Sequence, residues 1–311
     1  MNLNFFIIRF NFMDRIIIAK ISEGLGNQLF MYANAYAISK KFYLNLCLDP
    51  YSGYYNNNIR SFLLNNFNIS SKIAPSDWIF SNKYKYLIKK IKIKYDLFKK
   101  KKSFLFEPKD KNKLTKFTSI KLDSFNDKIY IDGNFESEKY FLDYRNDLLN
   151  QFSLKKDMSN NKYLDIIKKN NVVSISVRQN RYSERMGNKF DQNSINKSQD
   201  FVDKTVDYIY QSIKFIKSKV HNPKFLLWSN DFTGLEKYFP TNEFLYVINP
   251  EDKILNDFYL LTQCKYFIVG PSTFSWWGAW LSNDESKICI RPKNINPSNN
   301  LDFWPESWIS I

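Results

Sequence analysis

Short apolar runs alternate along this chain with stretches whose apolar residues recur at helical spacing, and nothing else restricts the fold as much. Strand–helix–strand repetition favours an α/β architecture with parallel sheets, because each return in the same direction needs a crossover. Strands are expected at Arg15–Ile21, Tyr43–Asp49, Lys128–Asp132, Val172–Arg178, Lys224–Ser229, Phe244–Ile248, Tyr266–Val269 and Lys287–Arg291. Helices are expected at Asn27–Lys41, Ser137–Phe152, Gln199–Lys219, Glu251–Gln263 and Thr273–Leu281. With 311 residues and 44% apolar content, the chain has room for two domains and a sizeable core. The polar stretch Leu154–Asn171 is the expected connection, so the domains are read as 14–155 and 156–311. Two open parallel sheets present their ligand loops at the carboxyl ends of the strands, so a cleft is expected between them.

Several classes of function are disfavoured by what the chain lacks. No apolar run approaches the roughly 18 residues needed to cross a bilayer. The opening MNLNFFIIRFNF is too short to span and no small-residue cleavage site follows it. Because Met13 begins MDRIIIAKI, residues 1–13 are read as a disordered lead or a mis-annotated start. The cysteines, Cys47, Cys264 and Cys289, are odd in number and have no C-x-x-C spacing. His221 is the only histidine. Neither a disulfide scaffold nor a Cys/His metal site is expected, and the setting is read as cytoplasmic. His221, in SKVHNPKF, falls where a helix ends and a turn begins, which suits a capping or solvated residue better than a catalytic one.

The net charge of +15 is concentrated in one place. Between Lys83 and Lys116 fourteen lysines stand against Asp96, Glu107 and Asp110, with Tyr84, Leu87, Ile88, Ile91, Tyr95 and Phe98 interleaved near helical spacing. Residues 82–117 are read as an insertion in the first domain. It suits either a solvated helix face or a basic amphipathic element resting on anionic lipid or a polyanionic acceptor. Nucleic acid fits less well, because the arginines and fold motif of a base-reading module are missing.

The sharpest motif is EGLGNQ, Glu23–Gln28, between a buried strand and a helix. Glycines there let a backbone approach a ligand at a helix N-terminus. Gly24 and Gly26 fit the start of a dinucleotide fingerprint, and Asp49 ends the next strand where a ribose-binding acid would stand. A nicotinamide oxidoreductase is therefore one candidate, although Leu29 occupies the third glycine position. A tight structural turn alone would leave the pair Asn27-Gln28 unexplained. The longer stretch GLGNQLFMYANAYAISKKF resembles the N-terminal motif of the α-1,2-fucosyltransferases, glycosyltransferase family eleven. Further segments resemble that family in the same order: YIDGNFESEKYF its GYWQSEKYF-like segment, LLWSND its FSDD strand end, DFYLLTQCKYFIVGPSTFSWWGAWLS its donor motif, and DFWPESWISI its chain end.

The resemblance implies a GT-B-type fold, with two Rossmann-like domains facing a cleft, the first on the acceptor side and the second binding the donor. It implies an inverting transfer of L-fucose or a related 6-deoxyhexose from GDP to a glycan hydroxyl, with α-1,2 linkage to galactose as the family's pattern. The acceptor is read as a surface glycan, lipid-linked or protein-linked. No cofactor or metal is expected, because arginine, hydroxyl and amide groups can neutralise the departing diphosphate. The family's HxRRxDY pattern aligns with Ser176-Val177-Arg178-Gln179-Asn180-Arg181-Tyr182, so Arg178 is expected at the diphosphate. Ser176 replaces the histidine, Gln179 the second arginine and Arg181 the acid, which leaves room for a different base or sugar. Gly24, Gly26, Asn27, Gln28, Ser176, Asp231, Ser272, Thr273, Phe274 and Ser275 complete the expected donor site. Ser272 and Thr273 suit helix caps as well, and Trp276, Trp277 and Trp280 suit the core. With Arg181 in the acidic position, Glu184 is read as the first candidate base, ahead of Asp191, Asp252 and Asp257. Two alternatives stand beside this: the same fold with another nucleotide-sugar donor, and a catalytically lapsed glycan-binding module.

Overall fold

The structure, a computed structural model, describes residues 15–55, 59–184 and 191–311; the expected lead, residues 1–13, lies outside the described residues. The first half carries β1 (Ile16–Lys20), α1 (Leu25–Lys41), β2 (Asn45–Asp49), β3 (Lys72–Ile73), α2 (Lys83–Asp96), β4 (Lys102–Phe106) and β5 (Phe125–Asp132). Its five strands lie parallel in the order β3–β2–β1–β5–β4. β1 is central and covered on both faces, which is why Ile17 and Ile18 read as an unbroken apolar run.

The second half follows α3 (Arg145–Gln151) and α4 (Lys162–Lys169). It comprises β6 (Val172–Val177), α5 (Gln192–Lys219), β7 (Lys224–Ser229), β8 (Phe244–Tyr246), α6 (Lys253–Thr262), β9 (Tyr266–Ile268), α7 (Thr273–Leu281), β10 (Ile288–Arg291) and β11 (Ile309–Ser310). The strands are again parallel, in the order β11–β10–β9–β6–β7–β8. Each sheet reverses its strand order beside its first strand, between β1 and β5 and between β6 and β9. Loops leaving such a pair diverge and leave a crevice at the carboxyl ends. The arrangement is the GT-B type expected from the sequence.

The two halves share a core. α1 packs on α7, with the Phe30 ring 4.6 Å from Trp276 and 4.9 Å from Trp277, and all three side chains are fully buried. Trp280 is buried as well, so the three tryptophans are core residues.

Several elements depart from expectation. Ser137–Phe152 is not one helix: two single 3-10 turns precede α3. Phe141 leaves the helical region at φ −142° because its ring is drawn between Trp277 and Trp280. The polar connection contains α4, started by the Asn161 side chain, which accepts from the Tyr163 N–H. α5 begins at Gln192, capped by Asp191. Within the lysine-rich stretch, α2 packs on the sheet and β4 forms its edge. There Lys89 is buried, its Nζ 2.7 Å from Asp132 Oδ2. Burial pulls this ammonium down from its ordinary value while Asp132 opposes the fall. His221 is exposed just beyond α5, and the three cysteines are free and buried.

Candidate active site

A cleft of about 700 Å3 opens where the carboxyl ends of the two sheets face each other. Its base is where two helices begin. α1 starts at Gly24–Leu25 and α7 at Ser272–Thr273, and they abut so closely that a Cβ on Gly26 would stand 2.5 Å from the Thr273 carbonyl carbon. Gly26 is thus required by helix–helix approach. Gly24 faces open space and its φ of −78° is ordinary, so it lines the cleft without being needed for backbone geometry. The Ser272 side chain caps α7 by accepting from the Ser275 N–H. The first-turn amides of Thr273 and Phe274 have no acceptor within the helix. At the other end of α7, Arg145 and Lys287 donate to the Trp280 and Ser282 carbonyls, so cations complement its negative end and the cleft receives its positive end.

One wall comes from the loop after β6. Arg178 follows the strand, lines the cleft and is ion-paired with Glu184, which also bonds Arg60 at 2.9 Å. Burial, with Arg60 and Arg181 nearby, pulls the Arg178 guanidinium down, and Glu184 opposes the fall. Ser176 lies against Gly270, where a Cβ would come 2.2 Å from the Ser176 carbonyl oxygen. The β6 and β9 exits are therefore in contact at the reversal point. Trp228 also lines the cleft, and its buried Nε1 has no hydrogen-bond partner among the described residues.

The opposite wall contributes a carboxylate. Glu136 leaves β5 at the reversal point of the first sheet, is 7% exposed and lines the cleft. Asn27 Nδ2 donates to its Oε1 at 3.1 Å, Ser298 Oγ donates to its Oε2, and Asn27 Oδ1 accepts from Thr273 Oγ1 at 2.7 Å. Burial pushes the Glu136 carboxyl up to about 7, against the hydrogen bond from Ser298 and the charge of Arg181. Asp257, on α6, also lines the cleft, bonded to Asn249 at 2.6 Å and pushed by burial to about 6.

Of the residues expected from sequence, Gly24, Gly26, Asn27, Ser176, Arg178, Glu184, Ser272, Thr273, Phe274 and Ser275 converge on this one cleft. Gln28 and Asp231 do not line it. Gln28 is fully buried; its Nε2 donates to the Glu23 and Ser61 carbonyls and its Oε1 accepts from the Leu63 N–H. It clamps the rim loop and holds Glu23, whose φ is +65°. Asp231 accepts from Asn180 and the Thr233 N–H, while its neighbour Asn230 faces the cleft. Among the other candidate bases, Asp191 caps α5 and Asp252 pairs with Lys156 at the surface. Asp49 is enclosed by Tyr51, Ser52 and Tyr130, so no ribose can reach it. Glu136 was not singled out in the sequence, although it stands in the quoted FESEKYF segment where the family pattern has glutamine. That substitution was the available signal. Among the described residues no group of three His, Cys, Asp or Glu side chains is arranged to hold a metal ion.

Residues 16–311 match the profile of Glycosyl transferase family 11. An Escherichia coli alpha-1,2-colitosyltransferase is 29% identical over 310 residues, covering 95% of this chain and 99% of that protein. An Escherichia coli O-antigen biosynthesis glycosyltransferase, WbnK, is 28% identical over 321 residues, covering 94% and 99%. Among solved structures, Arabidopsis thaliana FUT1 in complex with GDP superposes with a TM-score of 0.50 at 12% identity, over 90% of this chain and 71% of that one, a likeness of fold.

Proposed function

This chain belongs to glycosyl transferase family 11, and from that premise we propose that it moves L-fucose, or a related 6-deoxy or 3,6-dideoxy sugar such as colitose, from a GDP-linked donor to a glycan hydroxyl with inversion. The linkage proposed is α-1,2 to galactose, on a surface polysaccharide built at the cytoplasmic face of a membrane. A colitosyltransferase and an O-antigen glycosyltransferase among its relatives support that substrate class.

One observation carries the reading: Arg178 and the N-terminus of α7 line the same cleft. A guanidinium and a positive helix end together form a site for a diphosphate. In the proposed reaction an acceptor oxygen attacks the anomeric carbon on the face opposite the diphosphate. The bond from that carbon to the phosphate oxygen breaks, and GDP departs with the electron pair. Arg178, Ser272 and the first-turn amides of α7 hold the charge that develops on it. The acceptor proton passes to a carboxylate.

Glu136 suits that task better than Glu184. Glu184 is committed to two arginines, Arg60 of the first half and Arg178 of the second, whereas Glu136 belongs to the first half alone and has a pKa near neutrality. Arg181, near enough to lower that pKa, keeps the carboxylate available as an anion. Trp228, Asn230 and Asp257 are proposed to meet the nucleotide, with the unpaired Trp228 N–H as one donor.

Titration with GDP, UDP and dTDP, followed by transfer assays with GDP-fucose and GDP-colitose, tests this. Arg178→Ala is expected to lower kcat by about 10²–10³, the effect of removing one charge-stabilising group. Binding of UDP or dTDP without GDP would overturn the donor. Transfer that survives Arg178→Ala would overturn the role of the arginine.

A further inference from the structure

The apolar stripe of α2 is turned away from the sheet beside which the helix packs. Lys89, Ile93 and Asp96 turn toward the sheet, with Ile93 packed among the buried side chains there. Tyr84, Leu87, Ile91 and Tyr95 of α2, and Phe98 in the turn just beyond it, spaced three, four, four and three residues apart, line the opposite side. All five are more than half exposed, Phe98 at 87%. Such spacing puts them in one stripe.

The charge around this stripe has one sign. Lys83, Lys90, Lys94, Lys99, Lys100 and Lys101 are exposed, and none forms an ion pair among the described residues. Of the acids in this region, Asp96 is buried and accepts from the Ser103 and Phe104 N–H groups, and Glu107 is buried and accepts from Asn134 and Phe135, whereas Asp77, whose carbonyl accepts from Lys92, and Asp110 are exposed. A solvated helix would not expose five large apolar groups in a row. A protein-binding helix would not need an unbroken lysine border.

We propose that α2 is a membrane-docking element that seats the protein on an anionic phospholipid surface. The apolar stripe enters the boundary between headgroups and acyl chains, and the lysines meet lipid phosphates. The position of α2 gives the docking a purpose. Tyr86 lies 5.5 Å from Tyr55 ring to ring, and the adjacent Tyr54 hydroxyl donates to the carbonyl of Glu23, a cleft residue. Docking through the stripe would thus hold the loop at the cleft rim, which α2 contacts through Tyr86 on another face, near a bilayer that could present a glycan on a lipid carrier.

Sedimentation of the full chain with vesicles tests the proposal without any need for activity. Vesicles of phosphatidylcholine with 30% phosphatidylglycerol are expected to retain the protein at 50 mM salt and to lose it at 500 mM. Pure phosphatidylcholine is expected to bind at least tenfold more weakly. The double change Lys90→Glu/Lys94→Glu is expected to weaken retention at least tenfold, at roughly fivefold or less per lysine charge. Leu87→Asp/Phe98→Asp is expected to weaken it similarly while leaving the melting temperature and GDP binding unchanged, since both side chains face solvent. Equal retention of these variants, equal binding to neutral vesicles, or a wild-type protein that stays in the supernatant would overturn the proposal. So would a dimer joined through this stripe that ignores vesicles. Loss of GDP binding in the wild type would instead strike the donor assignment.

Discussion

Glu136 is the residue on which the chemistry and the stability of this protein pull in opposite directions. A carboxyl pushed up to about 7 by burial binds protons more readily in the folded state than in the unfolded chain, where its ordinary value is 4.5. The stability it gives is complete below about pH 4.5 and is lost as the pH rises through about 7. The loss between pH 5 and 8 is about 2–3 kcal/mol. A base, however, acts only when deprotonated, so transfer is expected to rise with pH through the same range. Glu136→Gln restores the family pattern's residue and keeps the hydrogen-bond geometry with Asn27 within reach. The variant is expected to lose the rising limb of the pH–kcat profile and about 10²-fold in kcat, to retain GDP affinity, and to melt higher than wild type at pH 8. An unchanged pH profile would remove Glu136 from the proton path. The sequence makes Arg178 and Thr273 legible because each stands in a local motif with its own geometry. Glu136 becomes a candidate only when the β5 exit is brought against Asn27 and Ser298, residues 109 and 162 positions away in the chain.

At the scale of elements, strands made of apolar runs were readable, the edge strand β8 among them, and the short or lysine-flanked edge strands β3, β11 and β4 were not. β1 and β6 are long apolar runs, whereas β3 and β11 have two residues each and β4 is hidden behind the lysines Lys99–Lys102. The helix starts were readable for a different reason, since cap residues and glycines are local signals. What they could not reveal is that α1 and α7 begin against each other. That contact gives Gly26 its meaning. Gly26→Ala puts a methyl group into the Thr273 backbone and forces the two N-termini apart. It is expected to weaken GDP binding at least tenfold and to lower the melting temperature by several degrees, an overpacking effect of about 1–3 kcal/mol. Gly24→Ala, with nothing within 4 Å of the new methyl, is the control and is expected to melt like wild type. If both variants behave alike, the close approach of α1 and α7 does not govern the site.

Across the whole molecule, the cleft is open at its loops and closed at its base. One buried cluster runs from Ile17 and Phe30 in the first half to Trp276, Trp277 and Phe303 in the second. Domain motion about α1 and α7 would have to separate Phe30 from the two tryptophans it touches. Substrates are therefore expected to enter past the rim, where Arg60 and Glu184 meet, and not by a wide hinge opening. The shared core also predicts how the chain unfolds. Halves joined by a small polar interface melt separately, but halves joined through fully buried aromatic side chains lose their core together. A single melting transition is expected, coincident by far-ultraviolet circular dichroism and by tryptophan fluorescence. GDP at 100 times its Kd should shift it as one step, worth about 2.7 kcal/mol. Phe30→Ala is expected to lower the stability by about 3–5 kcal/mol, although the residue belongs to the first half. Residues 156–311 produced alone would expose the α7 tryptophans that Phe30 and Phe141 cover, and are expected to give no cooperative transition. Two resolved transitions, with only the first moved by Phe30→Ala, would show that the halves are independent and that the base of the cleft is free to open.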